Sequence, residues 1–132
     1  MLRVLIAEDD SNSLLILKRF IDPLAECDTA VDGKEAMDKY LTSLDEERPY
    51  DIIFLDIMMP RMNGIEVMEQ IRDRELESGV LGADAVNIVM TTAVDDEQKI
   101  FDAHVTGCFN YLIKPLSKKS VVEQIKFIEN SN

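Results

Sequence analysis

The chain alternates short apolar runs with segments whose apolar residues recur at helical spacing, and this alternation restricts the fold more than any other feature. Apolar runs at residues 2–7, 27–31, 51–55, 86–91 and 109–113 predict five β-strands. A segment of helical period follows each run and predicts a helix. Because consecutive parallel strands need a crossover about as long as a helix, these units predict a parallel sheet with helices on both faces.

Each predicted helix has a set of apolar residues on one face. The sets are Leu14, Leu17, Ile21 and Leu24; Met37, Tyr40, Leu41 and Leu44; Ile65, Met68 and Ile71; Ile100, Phe101 and Val105; and Val121, Val122, Ile125 and Ile128. Asn12 or Ser13 is a candidate N-terminal cap of the first helix, and Ser117 is predicted to cap the last. Residues 73–87, which contain two glycines, predict an extended loop after the third helix.

Length and charge exclude several classes of protein. The chain has 132 residues, which suits one domain rather than two. A net charge of −12 argues against binding to nucleic acids or anionic membranes, since both require a surplus of Lys and Arg. No apolar run approaches the roughly 20 residues that cross a bilayer, and no signal peptide is recognisable. Cys27 and Cys108 are predicted to be free thiols, so we expect a cytoplasmic protein.

Polar residues stand where the predicted strands end, and doubly wound sheets bind their ligands at this edge. Clustered carboxylates repel one another unless a cation lies among them, and hard oxygen ligands suit Mg²⁺. A lysine and a threonine hydroxyl suit a phosphoryl group, and a carboxylate can form an acyl phosphate. The residues concerned are Glu8, Asp9 and Asp10 after strand one, Asp56 after strand three, Thr91 and Thr92 at strand four, and Lys114 after strand five.

Together these residues resemble the receiver domain of two-component response regulators. The resemblance rests on the adjacent acids Glu8 and Asp9, the run DIMMPRMNG from Asp56, Thr92 before an alanine, and Lys114 before a proline. It extends over essentially the whole chain, so residues 1–132 are expected to be a single receiver domain. The fold it implies is flavodoxin-like and doubly wound, an α/β fold whose five-stranded parallel sheet has the order 2-1-3-4-5 and is flanked by five helices.

The resemblance also implies a role for individual residues. Asp56 is implied to be the phosphorylated residue, with Thr92 and Lys114 contacting its phosphoryl group. The implied ligands of Mg²⁺ are Glu8, which usually acts through water, Asp9, Asp56 and the backbone carbonyl of Met58. Thr92 is the implied switch hydroxyl, although Thr91 beside it is an alternative, and Tyr111 is the implied aromatic switch. The bond between Lys114 and Pro115 is implied to be cis.

The implied function is a switch in phosphorelay signal transduction. The chain is expected to accept a phosphoryl group on Asp56 from a sensor histidine kinase or a histidine phosphotransfer protein. Its downstream protein target is expected to bind the fourth helix, the fifth strand and the last helix, and the domain itself is expected to bind neither nucleic acid nor membrane. We expect a monomer or a phosphorylation-dependent dimer that catalyses only its own phosphorylation and dephosphorylation. Met58 and Val94 each stand two positions after a site residue, and neither side chain can position an attacking water well. We therefore predict slow dephosphorylation.

Two alternative functions remain open from the sequence. One is a binding module of the same fold that works without phosphorylation. The other is a Mg²⁺-dependent phosphatase with an aspartyl-phosphate intermediate, which would need a second catalytic acid where Met58 stands.

Overall fold

The computed structural model describes residues 1–80, 82–93, 102 and 107–131, and in this part strands and helices alternate as predicted. The elements are β1 Leu2–Ala7, α1 Ser11–Ile21, β2 Ala25–Ala30, α2 Gly33–Asp45, β3 Ile52–Asp56, α3 Gly64–Glu77, a 3₁₀ turn Gly82–Asp84, β4 Asn87–Thr92, β5 Asn110–Ile113 and a C-terminal helix Lys118–Ser131. The predicted fourth helix, with Ile100, Phe101 and Val105, lies outside the described residues. No helix in the described part of the chain is long and apolar enough to cross a membrane.

The five strands form one parallel sheet in the order β2-β1-β3-β4-β5, which confirms the predicted topology. The central strands are apolar along nearly their whole length because helices cover both faces of a parallel sheet. Ala7 pairs with both Ala30 and Leu55, and Asp56 pairs with Thr91. This register aligns the carboxyl ends of the strands along one edge of the sheet.

The core has two layers because successive side chains of a strand face opposite sides of the sheet. Leu5 and Ala7 of β1 pack in the layer that α2 and α3 cover. Val4 and Ile6 pack in the other layer, which α1 and the C-terminal helix cover. Among the described residues, Phe54 of β3 is the largest side chain that is fully buried, and it lies in this second layer.

Helix caps agree with the sequence in one case and correct it in another. Ser117 caps the C-terminal helix as predicted, since its Oγ accepts a hydrogen bond of 3.1 Å from the backbone N–H of Ser120. The cap of α1 is Asp10, whose carboxylate accepts a hydrogen bond of 3.0 Å from the backbone N–H of Ser13. The prediction of Asn12 or Ser13 was therefore wrong by two or three positions.

The predicted loop at residues 73–87 is shorter than expected, because α3 continues to Glu77. Glu75 is buried in this last turn, where its carboxylate accepts a hydrogen bond of 2.7 Å from the Val86 backbone N–H and pairs with Arg72 at 2.7 Å. The helix ends before Gly79, whose φ of 75° suits glycine. The prediction of a loop was therefore wrong for residues 73–77, which belong to α3.

Candidate functional site

The carboxyl edge of the sheet brings the adjacent acids Glu8 and Asp9 together with Asp56, which lies 47 positions after Asp9. Glu8 follows β1, and its backbone N–H donates a hydrogen bond of 3.0 Å to the carbonyl of Ala30. Asp56 is the last residue of β3. One carboxylate oxygen from each of Glu8, Asp9 and Asp56 lies within 4.8 Å of the other two. Glu8 and Asp56 are buried while Asp9 is exposed, so solvent reaches the cluster from one side.

Lys114 completes the cluster from the loop after β5. Its Nζ lies 3.3 Å from Asp56 Oδ2 and also contacts Glu8 Oε1. The backbone N–H of Lys114 donates a hydrogen bond of 2.7 Å to the carbonyl of Thr92, which extends the β4–β5 ladder to the site. The peptide bond from Lys114 to Pro115 is cis, as the resemblance implied.

The loop between β3 and α3 holds the Asp56 carboxylate from the other side. Asp56 Oδ1 accepts a hydrogen bond of 3.2 Å from the Met58 backbone N–H, and the Gly64 N–H donates to the Ile57 carbonyl at 2.9 Å. A Cβ atom on Gly64 would stand 2.2 Å from the Asp56 carbonyl oxygen. Only glycine therefore lets α3 begin this close to the backbone of Asp56.

Burial and neighbouring charges divide the protons unequally between the two buried acids. Burial, followed by the hydrogen bond and negative charge of Glu8, raises the pKa of Asp56 from 3.8 to about 7, against the opposing effect of Lys114. Burial would also raise the pKa of Glu8, but hydrogen bonds with Asp56 and Lys114 outweigh it and lower that pKa. Near neutral pH, and without a bound cation, the pair therefore holds part of a proton on Asp56, which donates it towards Glu8.

The donor set suits a small divalent cation. Carboxylate oxygens are hard ligands, and Mg²⁺ in proteins combines one or two of them with waters and phosphate oxygens. Glu8 Oε1 is buried and makes no well-directed hydrogen bond in the described part of the chain, although it contacts the Lys114 ammonium. A cation at this cluster would relieve the repulsion between the acids, which fits the chemistry of the residues present.

The remaining predicted site residues lie on β4 and β5. Thr91 and Thr92 are both buried, and since consecutive residues face opposite sides of a strand, their hydroxyl groups point to different layers. Thr91 pairs with Asp56 in the sheet register, whereas Thr92 follows it at the strand end. Tyr111 is half-buried and pairs with Met90, two residues before β5 ends. Val94 lies outside the described residues.

Sequence reasoning missed two contributions to the site. The Asp10 backbone N–H donates a hydrogen bond of 3.1 Å to Glu8 Oε2, while its own side chain caps α1. Asp10 therefore orients Glu8 through its backbone, and the cap signal Asp-x-x-Ser was the readable sign of it. The close approach of Gly64 to Asp56 had no sequence signal beyond a turn dipeptide.

A doubly wound sheet with clustered acids and a lysine at its carboxyl edge defines the class of α/β domains that bind their ligands at this edge. Comparison with known families is more specific, since the model of the response regulator receiver domain matches residues 4–126. The chain therefore belongs to the response regulator receiver domain family.

Relatives in this family differ greatly in overall length. The chain is 32% identical over 125 residues to the transcriptional regulatory protein ResD of Bacillus subtilis, covering 94% of the chain and 46% of ResD. It is 30% identical over 128 residues to the chemotaxis protein CheY of Treponema pallidum, covering 93% of the chain and 79% of CheY. It is 34% identical to the hybrid signal transduction histidine kinase L of Dictyostelium discoideum, covering 94% of the chain and 7% of that protein. The chain thus spans less than half the length of two of these relatives.

Solved structures agree with the fold. The receiver domain of the Francisella response regulator 1452 superposes with a TM-score of 0.79 at 24% identity, covering 100% of both chains. The receiver domain of Ssk1 from Saccharomyces cerevisiae, solved with the histidine phosphotransfer protein Ypd1, has a TM-score of 0.81 at 30% identity, covering 95% and 86% of the two chains. The structure of the CheX–CheY–BeF₃–Mg complex of Borrelia burgdorferi matches with a TM-score of 0.81 at 27% identity, covering 97% of the chain and 89% of the matched chain.

Proposed function

We propose that residues 1–132 form a single receiver domain that accepts a phosphoryl group on Asp56 in the presence of Mg²⁺. The observation that carries this proposal is the environment of the Asp56 carboxylate. It is buried at the carboxyl edge, lies 3.3 Å from the Lys114 ammonium, and shares a cluster with Glu8 and Asp9. A receiver domain solved with a histidine phosphotransfer protein supports a phosphohistidine as the donor.

In the proposed transfer, an Asp56 carboxylate oxygen attacks the phosphorus of the phosphohistidine. The P–N bond breaks and its electron pair returns to the imidazole of the donor, so that an acyl phosphate remains on Asp56. Lys114 pairs with a phosphoryl oxygen and offsets its negative charge. Glu8, Asp9, Asp56 and the Met58 carbonyl would hold Mg²⁺, which when bound would further neutralise the phosphoryl oxygens.

We further propose that Thr92 and Tyr111 transmit phosphorylation to the surface. The new phosphoryl group attracts the Thr92 hydroxyl, and Tyr111 moves from its half-buried position towards the core. The phosphorylated state thereby binds its target better than the resting state, which is the condition for a population shift.

The surface of β5 and the C-terminal helix is the proposed binding site for a downstream protein. Phe109, Ile113 and Phe127 are exposed there, and the rings of Phe109 and Phe127 lie 5.7 Å apart between centroids. The exposed lysines 118, 119 and 126 of the same helix favour an acidic partner. The fourth helix, which the sequence predicts as part of the same binding site, lies outside the described residues.

The phosphoryl donor is proposed to dock on the other side of the site. Leu15 and Ile16 of α1 are each 48% exposed, and Ile16 lines a shallow groove with Lys114 and Pro115. An exposed apolar face beside the phosphorylation site suits a helical kinase or phosphotransfer domain. Two free cysteines, Cys27 and Cys108, suit the cytoplasm in which such donors would be met.

Intact-mass measurement after incubation with Mg²⁺ and acetyl phosphate tests the proposal. We expect one phosphoryl group per chain, none in Asp56→Asn, and wild-type labelling in the matched control Asp73→Asn, which changes an exposed acid of α3. Release of many equivalents of phosphate per chain would instead support the phosphatase. Absence of labelling by every donor would support the phosphorylation-independent binding module.

A further inference from the structure

The N-terminus of α2 lies against the backbone of the loop that connects β3 to α3, residues 57–63. A Cβ atom on Gly33, the first residue of α2, would stand 2.0 Å from the Met62 carbonyl oxygen. Cβ atoms in proteins essentially never lie within 3.0 Å of such an atom, so only glycine allows this approach. The contact involves the backbone and Cβ of Met62 and does not depend on the rest of its side chain.

A buried carboxylate ties the same helix and loop together. Asp32 is 8% exposed and caps α2, because its Oδ1 accepts a hydrogen bond of 2.8 Å from the Glu35 backbone N–H. Its Oδ2 accepts a hydrogen bond of 3.4 Å from Nη1 of Arg61 in the loop. Arg61 has a φ of 70°, in the left-handed region that favours glycine. Such a conformation persists where surrounding contacts fix it, and the Asp32 carboxylate is one of them.

We call the Gly33 contact and the Asp32–Arg61 pair the α2 clamp. α2 is fixed by its buried face, on which Met37 packs in the core. The loop is the less buried partner, since Met58 is 55% exposed. An added Cβ at Gly33 would therefore displace the loop rather than the helix. Opening the contact from 2.0 Å to 3.0 Å requires a shift of about 1 Å.

The clamped loop carries groups of the proposed metal site. The Met58 backbone N–H donates a hydrogen bond of 3.2 Å to Asp56 Oδ1, and the Met58 carbonyl is a proposed ligand of Mg²⁺. Gly64, directly after the loop, lies against the backbone of Asp56. The loop is therefore held next to the phosphorylation site at both ends and held by α2 at Met62. A shift at Met62 changes the position of the Met58 carbonyl.

We propose that the α2 clamp makes the metal site selective for Mg²⁺ over the larger Ca²⁺. This inference rests on the proposed function, in which the Met58 carbonyl is a metal ligand. Mg²⁺ requires near-ideal octahedral geometry with oxygens at about 2.0–2.1 Å, whereas Ca²⁺ accepts roughly six to eight oxygens at about 2.3–2.6 Å in flexible arrangements. A loop held in one position favours the ion that tolerates less variation in ligand distance. Gly33 and Asp32 are positioning residues, since they act through the loop.

Metal titration of isotope-labelled protein, followed by amide chemical shifts, tests this proposal. MgCl₂ and CaCl₂ are titrated separately at equal ionic strength, and the wild-type protein should bind Mg²⁺ more tightly. Gly33→Ala should weaken Mg²⁺ about tenfold and Ca²⁺ less than about threefold. In metal-free protein the same variant should speed hydrogen exchange of the Met58 amide relative to that of Asp51, whose N–H bonds to the Arg3 carbonyl at the opposite end of the sheet.

Gly79→Ala is the matched control for loss of stability. Gly79 has a φ of 75°, and an added Cβ there would have nothing within 4 Å. The substitution strains the backbone without displacing a neighbour. It should lower the free energy of unfolding and leave the ratio of the two Kd values unchanged.

A second pair of variants covers the case in which Gly33→Ala does not fold. Arg61→Gly relieves the left-handed backbone and breaks the pair with Asp32, so it frees the loop at little cost in stability. It should shift the Kd ratio towards Ca²⁺ by about twofold or more. Glu47→Gly makes the same backbone change at a φ of 56°, just beyond the C-terminal end of α2, and should leave the ratio unchanged.

The ratio of Kd values separates this proposal from the proposed function. Equal weakening of Mg²⁺ and Ca²⁺ by the clamp variants, or an equal shift of the ratio by a variant and its control, would overturn the proposal and leave metal binding intact. A wild-type protein that binds Ca²⁺ as tightly as Mg²⁺ would overturn it too. A wild-type protein that binds no Mg²⁺ would overturn the proposed function along with it.

Discussion

Replacing Asp56 by asparagine is expected to stabilise the protein in the absence of divalent cations at pH 8, although it removes the proposed phosphorylation site. Burial, and then Glu8, raise the pKa of Asp56 from 3.8 to about 7, so ionising Asp56 in the folded chain is unfavourable. Asparagine has nearly the same shape and is neutral. Its amide can donate a hydrogen bond towards Glu8, as a protonated Asp56 can.

The size of the effect follows from the shift in pKa. A rise of about 3 units corresponds to a penalty of about 4 kcal/mol at high pH, since each unit is worth ~1.4 kcal/mol. Two effects reduce this gain in stability. Lys114 loses a charged partner when Asp56 is replaced. The lowered pKa of Glu8, which stabilises the folded chain above pH 4.5, depends in part on its interaction with Asp56 and is also weakened. We therefore expect Asp56→Asn to raise the free energy of unfolding by about 2 kcal/mol at pH 8.

The sign of the pH dependence is fixed by which state binds more protons. Between pH 3.8 and about 7 the folded chain keeps a proton on Asp56 that the unfolded chain has lost. The contribution of Asp56 to stability therefore falls as pH rises through this window, and the full penalty is present above it. The gain from Asp56→Asn should shrink to less than half at pH 5.

Urea unfolding in EDTA at pH 5 and pH 8 measures both quantities. A difference of ~2 kcal/mol corresponds to roughly 6 °C in Tm for a chain of this size. Mg²⁺ should reverse the order, because a ligand at about 100 times its Kd stabilises the chain that binds it by ~2.7 kcal/mol. Asp73→Asn is the control and should gain nothing. No gain for Asp56→Asn at pH 8, or an equal gain at pH 5, would refute this reasoning.

Three further substitutions test the site and the packing of α3. Gly64→Ala should cost about 3 kcal/mol or more by urea unfolding, because its Cβ would stand 2.2 Å from the carbonyl oxygen of Asp56. Glu75→Ala should cost about 2–3 kcal/mol and expose the Val86 amide to hydrogen exchange, since it removes the buried acceptor of that N–H. Met58→Asn should speed loss of the phosphoryl group about tenfold in intact-mass time courses, because an amide can orient water where an exposed thioether cannot.

Each of these has an internal control. Gly82→Ala places a Cβ where nothing lies within 4 Å, so it should cost only the strain of a φ of 59°. Glu77→Ala removes an exposed acid of the same helix turn and should leave unfolding nearly unchanged. Met62→Asn changes a methionine of the same loop and should not alter dephosphorylation. Equal effects of a variant and its control would contradict the assigned cause.

The sequence by itself determined the sheet and most of the cluster at its edge. A parallel strand buried on both faces requires a continuous apolar run, so β1, β3 and β4 were readable without knowledge of their neighbours. Polar residues that directly follow such runs must stand at the carboxyl edge, because the strands end there. Glu8, Asp56 and Lys114 were predicted together on this ground, and the structure places them in contact or within 4.8 Å.

Tertiary structure alone decided the properties that depend on distance. The pKa of Asp56 is set by its burial and by Glu8, 48 positions earlier, because desolvation and Coulomb interactions depend on separation in space and not along the chain. The same reason explains why Glu75 looked like a loop residue: its partner Val86 lies beyond the helix end.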